Sequence, residues 1–158
     1  MPSASRKPAK PKASAATRAA GEPAAIRVER AVGPARRAIL KGLRDYNRSK
    51  LGTVSAKDVA ITLREGGEIV GGIVGQLWCG WLFIQLFWID EAFRGAERGA
   101  ELIGRLEDEA RAFGATQAYV DTFSFQAPGF YQKQGYRVFG ELENFPLGHS
   151  RFWLTKTL

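Results

Sequence analysis

The chain has 158 residues, a formal net charge of +7, one cysteine and one histidine. A single cysteine excludes an internal disulfide and, with a single histidine, leaves no ligand set for zinc; the length suits one folded domain. Residues 1–21 carry five basic residues and no acid, while the other 18 basic residues stand against 16 acids, so the basicity belongs mostly to the start of the chain.

Residues 1–24 are rich in alanine and proline, a composition that cannot bury enough apolar surface to order itself, and are expected to form a disordered tail ahead of a domain at 25–158. Its charges at Arg6, Lys7, Lys10, Lys12 and Arg18 have no aromatic residue among them. A solvated extension is therefore expected rather than a specific nucleic-acid arm, and the prolines break the amphipathic helix that a transit peptide would need.

Within the domain, AIRVERAV (25–32) predicts an opening strand, and PARRAILKGLRDYNRSKLG (34–52) a helix begun by Pro34 and stopped at Gly52. KDVAITLREGGEIVGGIVG (57–75) then alternates apolar and polar residues around Gly66-Gly67, a hairpin signature, so its glycines belong to strands and not to a nucleotide loop. Residues 69–89 hold no charge and are long enough to cross a bilayer. Their glycines, the Trp-Cys-Gly-Trp break, the acidic flanks Glu68 and Asp90 and the high strand propensity instead predict two paired strands turning near Gly80, with no membrane span. Cys79 is expected to be a buried, inert thiol, consistent with a reducing cytoplasmic location.

WLFIQLFWID (81–90) is almost continuously apolar, which predicts a central strand buried on both faces. The next helix has Leu102, Ile103, Leu106, Ala110 and Phe113 on one stripe, and Glu101, Arg105, Glu107, Asp108 and Arg111 on the solvent side. Its start is expected near Arg98 and its left-handed cap at Gly114. Between strand and helix lies the turn Arg94, Gly95, Ala96, Glu97, Arg98, Gly99. A strand, a Gly-Arg turn and a helix start aim backbone N–H groups and the positive end of the helix dipole at one point, a place for a phosphate. TQAYVDTF (116–123) predicts a further strand, 127–134 a short helix, and 136–143 and 151–157 two closing strands separated by NFPLGH.

The turn resembles the pyrophosphate loop of the GNAT superfamily of acyl-CoA-dependent N-acetyltransferases, with Arg94 and Gly99 at matching positions. APGFYQKQGYRVFG (127–140) resembles that family's later segment through Phe130, Tyr131, Gly135 and Tyr136. The resemblance covers residues 26–158 and implies an α/β fold with a mixed, mostly antiparallel central sheet and helices on both faces. It also implies acetyl-CoA as co-substrate without a metal, an amine acceptor, and direct transfer in a ternary complex. By the family's pattern, backbone groups at Phe87, Trp88 and Ile89 and the loop Arg94, Gly95, Ala96, Glu97, Arg98, Gly99 would hold the cofactor, and Tyr131 would protonate the departing thiolate.

Two positions depart from the family. Glu97 replaces the first loop glycine; as a carboxylate it suits a helix start yet repels pyrophosphate, which Arg94 and Arg98 would offset. Ser124 stands where many members have asparagine. The central strand offers only Gln85 before Asp90, so no general base carries over, and Asp121, Glu143 and His149 are the candidates near strand ends. Phe123, Phe125, Phe130, Phe145 and Trp153 would either line an acceptor cleft or fill the core. The alternative is a catalytically degenerate module of the same fold that binds a ligand or a partner. Apolar strands near the C-terminus leave a homodimer possible.

Overall fold

The computed structural model describes residues 24–95 and 97–158, so the expected tail at 1–23 and Ala96 lie outside the described residues. The chain falls into two units that divide after Leu43, inside the first helix, α1 (Val32–Leu51). In the first unit, residues 24–31 form no strand, contrary to the expected opening strand, and Ile26 and Val28 lie exposed. Alternation alone is insufficient, because a strand needs a neighbour for its backbone N–H and C=O groups. No residue of α1 is buried, and Gly52 ends it with a positive φ of 72°.

The second unit is built on six strands: β1 (Lys57–Glu65), β2 (Glu68–Trp78), β3 (Trp81–Ile89), β4 (Gln117–Phe123), β5 (Arg137–Glu143) and β6 (Ser150–Thr157). They run in the order β1-β2-β3-β4-β6-β5, and only the β3/β4 pair is parallel. This is the mixed, mostly antiparallel sheet that the sequence implied. Gly66 and Gly67 turn the first hairpin with φ of 53° and 91°, the paired positive values of a tight turn matched to strand twist. The second turns at Cys79 and Gly80, both with positive φ, so Cys79 is exposed on a turn and not buried in a strand.

Helix α2 (Arg98–Ala112) packs on β1, β2 and β3. Leu102, Ile103, Leu106 and Ala110 enter a core with Ile73, Leu77, Leu82, Ile84, Val120 and Leu154. Phe113, expected on the same stripe, stays largely exposed beyond the last turn, while Glu107, expected in solvent, is only 3% exposed. Acid-before-base pairs four residues apart form along the helix, Glu101 with Arg105 at 2.7 Å and Glu107 with Arg111 at 3.4 Å. Strand β3 is buried on one face only: Leu82 and Ile84 lie beneath α2, whereas Trp81, Leu86 and Trp88 are exposed, correcting the expectation of two buried faces. Aromatic and branched residues recur in half-buried strands as well as in fully buried ones.

The helix sits close to the sheet because Gly75 lies beneath it. A Cβ on Gly75 would come within 2.6 Å of Leu82 Cδ1 and 3.1 Å of Leu106 Cδ2, and both leucines are fully buried. Gly75→Ala is expected to cost about 1–3 kcal/mol by overpacking, lowering the melting temperature by roughly 2–10 °C for a chain of this size. An unchanged thermal unfolding curve would show that helix and sheet separate at no cost.

Candidate active site

The site begins with a defect in the sheet. Val74 pairs with Leu86 but Gly75 pairs with Ile84, so Gln85 is an extra residue, a β-bulge in β3. The bulge reverses the inward parity: Leu82 and Ile84 point to the core before it, Phe87 and Ile89 pack against the core after it. Parallel pairing with β4 also ends there, since only Trp81–Ile84 align with Gln117–Val120 while β4 continues beside β6 to Phe123. Past Ile84 and Val120, β3 and β4 diverge and leave a wedge between them.

Backbone groups of β3 face that wedge. Asp90 N donates to Val70 O at 2.9 Å, and antiparallel ladders alternate, so Trp88 and Leu86 spend their N–H and C=O groups on β2. Phe87 and Ile89 turn theirs the other way. Of the three residues singled out in sequence, Phe87 and Ile89 therefore present backbone to the wedge, and Trp88 presents an exposed indole on the open face.

The loop that follows is braced by its own side chains. Asp90 accepts from Ala92 N at 3.0 Å and caps a single 3-10 turn at Glu91–Phe93. Arg94 Nε donates to Ile89 O at 3.0 Å, Arg98 Nη1 donates to Phe93 O at 3.1 Å, and Arg98 N donates to Gly95 O at 3.2 Å. Gly95 has φ of 86°, and Glu97, at the N-cap of α2, has φ of 58°. The Glu97 carboxylate makes no capping hydrogen bond, so the expected cap is absent. Its left-handed backbone gives the physical reason why glycine suits this place: a residue with a Cβ is strained there. Gly99 completes the loop with a close approach, because a Cβ on it would lie 3.0 Å from Phe130 Cε2 and 3.6 Å from Phe87 Cζ.

Phe130 leads to Tyr131, both in the short helix α3 (Pro128–Lys133), which falls within the expected 127–134 and begins with proline. Tyr131 is 6% exposed, and its ring meets Phe130 at 5.3 Å, Tyr136 at 5.9 Å and Phe87 at 6.4 Å between centroids. Its hydroxyl makes no hydrogen bond to another described residue, and among the described residues no polar side-chain atom is sealed from solvent without a partner. Burial, and after it the negative charge of Asp121, push the Tyr131 hydroxyl up to about 12. It is thus a protonated donor at any ordinary pH, standing beside the wedge.

The three candidate bases separate. Asp121, the first β4 residue past the parallel pairing, is engaged by Arg151 on β6 through Nε at 2.7 Å and through Nη2. His149 and Glu143 line a shallow cleft of about 330 Å³ with Ser124, Glu141, Asn144, Gly148 and Ser150. Ser124 accepts from Ser150 N at 3.2 Å and lies 3.4 Å from His149 Nδ1, so it ties β4 to the start of β6. The aromatics divide likewise. Phe123, Phe125, Phe145 and Trp153 gather at this end, with Phe125 and Phe145 exposed, whereas Phe130 belongs to the packing around Tyr131.

Sequence reasoning missed the buried Glu107 network and the Asp121–Arg151 pair. No local pattern marks residues 49 and 30 positions apart as partners. Among the described residues no group of His, Cys, Asp and Glu is arranged to hold a metal, and no helix is long and apolar enough to cross a membrane.

The comparisons agree with this fold. Residues 35–136 match the model of the acetyltransferase (GNAT) family. Blasticidin-S acetyltransferase of Streptomyces morookaense is 44% identical over 95 residues, 60% of this chain and 70% of that protein. Acetyltransferase Atu2258 of Agrobacterium fabrum is 36% identical over 123 residues, 77% of this chain and 90% of that one. The crystal structure of an acetyltransferase from Bacillus cereus superposes with a TM-score of 0.78 at 32% identity, covering 84% of this chain and 98% of its own. A strand pair that splays at a bulge, a Gly-Arg loop opening a helix and a buried tyrosine beside them lie within a chain that belongs to the acetyltransferase (GNAT) family of acyltransferases.

Proposed function

We propose that this protein moves the acetyl group of acetyl-CoA to a primary amine of a small molecule or peptide by direct transfer in a ternary complex. The observation that carries the proposal is Tyr131: a buried tyrosine whose hydroxyl has no partner among the described residues, packed on Phe87 where β3 and β4 part. Phe87 and Ile89 supply backbone groups for the pantetheine arm, and the loop at Arg94, Gly95, Ala96, Glu97, Arg98 and Gly99 receives the pyrophosphate at the start of α2. Guanidinium groups of Arg94 and Arg98 remain able to pair with phosphate oxygens through the N–H groups they do not spend on Ile89 and Phe93.

The neutral amine nitrogen attacks the thioester carbonyl carbon, the tetrahedral intermediate collapses with cleavage of the C–S bond, and the sulfur takes a proton from the Tyr131 hydroxyl. The amine's surplus proton leaves to water, which in turn restores the tyrosine. Asp121 is a poor base for this purpose while Arg151 occupies it. The cleft beside His149 and Glu143, rimmed by Phe125, suits an amine-bearing acceptor. The relative named for blasticidin S makes that compound the first acceptor to try.

Calorimetric titration with acetyl-CoA, followed by turnover with blasticidin S and a panel of primary amines, tests the proposal. Saturable binding and acetylated product are expected. Binding without turnover on any amine would favour a ligand-binding module, and absence of binding would sink the transferase.

Glu97→Gly is expected to tighten acetyl-CoA binding by about fivefold at low salt, because an exposed carboxylate a few ångströms from pyrophosphate repels it by about 1 kcal/mol. The gain should shrink as salt is added. Stability should barely move: relief of a left-handed residue, about 1–2 kcal/mol, is set against the added freedom of glycine in the unfolded chain, about 0.5–1 kcal/mol. Affinity that is unchanged at low salt would place the pyrophosphate away from residue 97.

A further inference from the structure

The Arg151 guanidinium is held more tightly than any other on the sheet. Besides its two-point grip on Asp121, it lies over three rings, Phe123 at 5.0 Å, Trp153 at 5.3 Å and Phe145 at 5.5 Å from their centroids. Strand register explains the cage. Arg151 pairs across with Phe123 on β4 and with Leu142 on β5, and Trp153 is two residues along its own strand, so its side chain spans the three-stranded part of the sheet. Asp121 pairs with Trp153 and is the first β4 residue beyond the parallel ladder, at the apex of the wedge. Aromatic faces favour a cation, and the planar fork favours a carboxylate, so this is a built charge pair rather than a chance surface contact.

The pair stands next to the chemistry. A thiolate departs at the wedge, and the donor that meets it is on the opposite wall, where Tyr131 touches Phe87. A bare carboxylate at the apex would oppose both the developing negative charge on sulfur and loss of a proton from Tyr131, and in a half-buried site such repulsion is poorly screened.

We propose that Arg151 is a positioning residue for acetyl transfer, which acts by pinning and neutralising the Asp121 carboxylate at the apex of the β3/β4 wedge. The proposal rests on the assignment of Tyr131 as proton donor. Burial and the charge of Asp121 already make Tyr131 a weak acid; in the proposal the guanidinium paired with Asp121 offsets a charge that would otherwise act on the hydroxyl in full.

The test is a cycle of variants measured by release of CoA thiol from acetyl-CoA, with blasticidin S present and with water as the sole acceptor. Both reactions pass through the departing thiolate, so the readout does not depend on which amine is native. Arg151→Met should slow thiol release by about tenfold, the factor that corresponds to one pKa unit of lost compensation, with acetyl-CoA affinity by calorimetry unchanged. Arg151→Lys, which keeps the charge and loses the fork, should fall between. Asp121→Asn/Arg151→Met removes both charges and should recover most of the rate. In a Tyr131→Phe background, Arg151→Met should cost less than in the wild type, because only the direct repulsion of the sulfur remains. Wild-type rates for Arg151→Met, a double variant as slow as the single, or an equal loss in the Tyr131→Phe background would each overturn the proposal while leaving Tyr131 as donor. Wild-type rates for Tyr131→Phe would overturn both.

Discussion

Tyr131→Phe is expected to lower kcat by about 100- to 1,000-fold, within the usual range for loss of a general acid, while leaving the melting temperature and acetyl-CoA affinity where they were. The separation of effects follows from the site. Phenylalanine keeps the ring contacts to Phe130, Tyr136 and Phe87. The hydroxyl that it deletes has no hydrogen bond to another described residue, so no partner is orphaned. A structural tyrosine would give the opposite pattern, a loss of stability with kcat preserved.

The pH dependence has a sign that can be worked out. Burial first, and the Asp121 charge second, raise the hydroxyl from its ordinary 10.0 to about 12. The donor therefore stays protonated up to that pH, and the kcat profile should show no descending limb from Tyr131 below it; any rise should come from deprotonation of the acceptor amine, near 10.4 for a lysine-like group. For stability, the unfolded tyrosine releases its proton at a lower pH than the folded one. Its contribution is complete below about 10 and is lost as pH climbs to about 12. Tyr131→Phe should flatten that alkaline decline in the melting temperature. A kcat profile that descends with the same midpoint in wild type and variant would show that another group is titrating.

Local signals carried the sequence reading as far as single elements and their order. The Gly66-Gly67 hairpin, the start of α2 at Arg98 and its end before Gly114 all rest on turn chemistry and capping, which act over a few residues. The strand, the turn at 94–99 and the helix after it were legible because the three are consecutive in the chain. The wedge was not, because it depends on where β3 stops pairing with β4, 36 residues along the chain, and on an extra residue at Gln85 that leaves no mark in composition. The reading of β3 as buried on both faces failed for the same reason: Trp81, Leu86 and Trp88 are as apolar as their neighbours, and only the sheet's partners decide which of them are covered. Likewise, Asp121 was visible as a carboxylate near a strand end, but its occupation by Arg151 is a cross-strand fact.

Glu107→Leu is expected to be the most damaging single change to stability. Glu107 is 3% exposed, and its carboxylate receives Lys156 Nζ at 2.6 and 2.8 Å, the Tyr136 hydroxyl at 3.0 Å and Arg111 Nη2 at 3.4 Å. Removing one member of a buried pair costs about 3–5 kcal/mol; because Lys156 is partly exposed and can turn towards water, the lower end applies, a fall in melting temperature of about 6–12 °C. Apolar replacement of the whole group, Glu107→Leu with Lys156→Met and Tyr136→Phe, should recover most of that loss, since well-packed hydrophobic residues commonly match a buried ion pair. The network also has a functional consequence. It joins α2, whose first turn forms the loop, to Tyr136 shortly beyond the end of α3, and Tyr136 N donates to Tyr131 O at 3.0 Å. If Glu107 sets the distance between the 94–99 loop and Tyr131, the triple variant should regain its melting temperature without regaining wild-type kcat/KM. Full recovery of both would show that packing alone holds those two parts of the site in register.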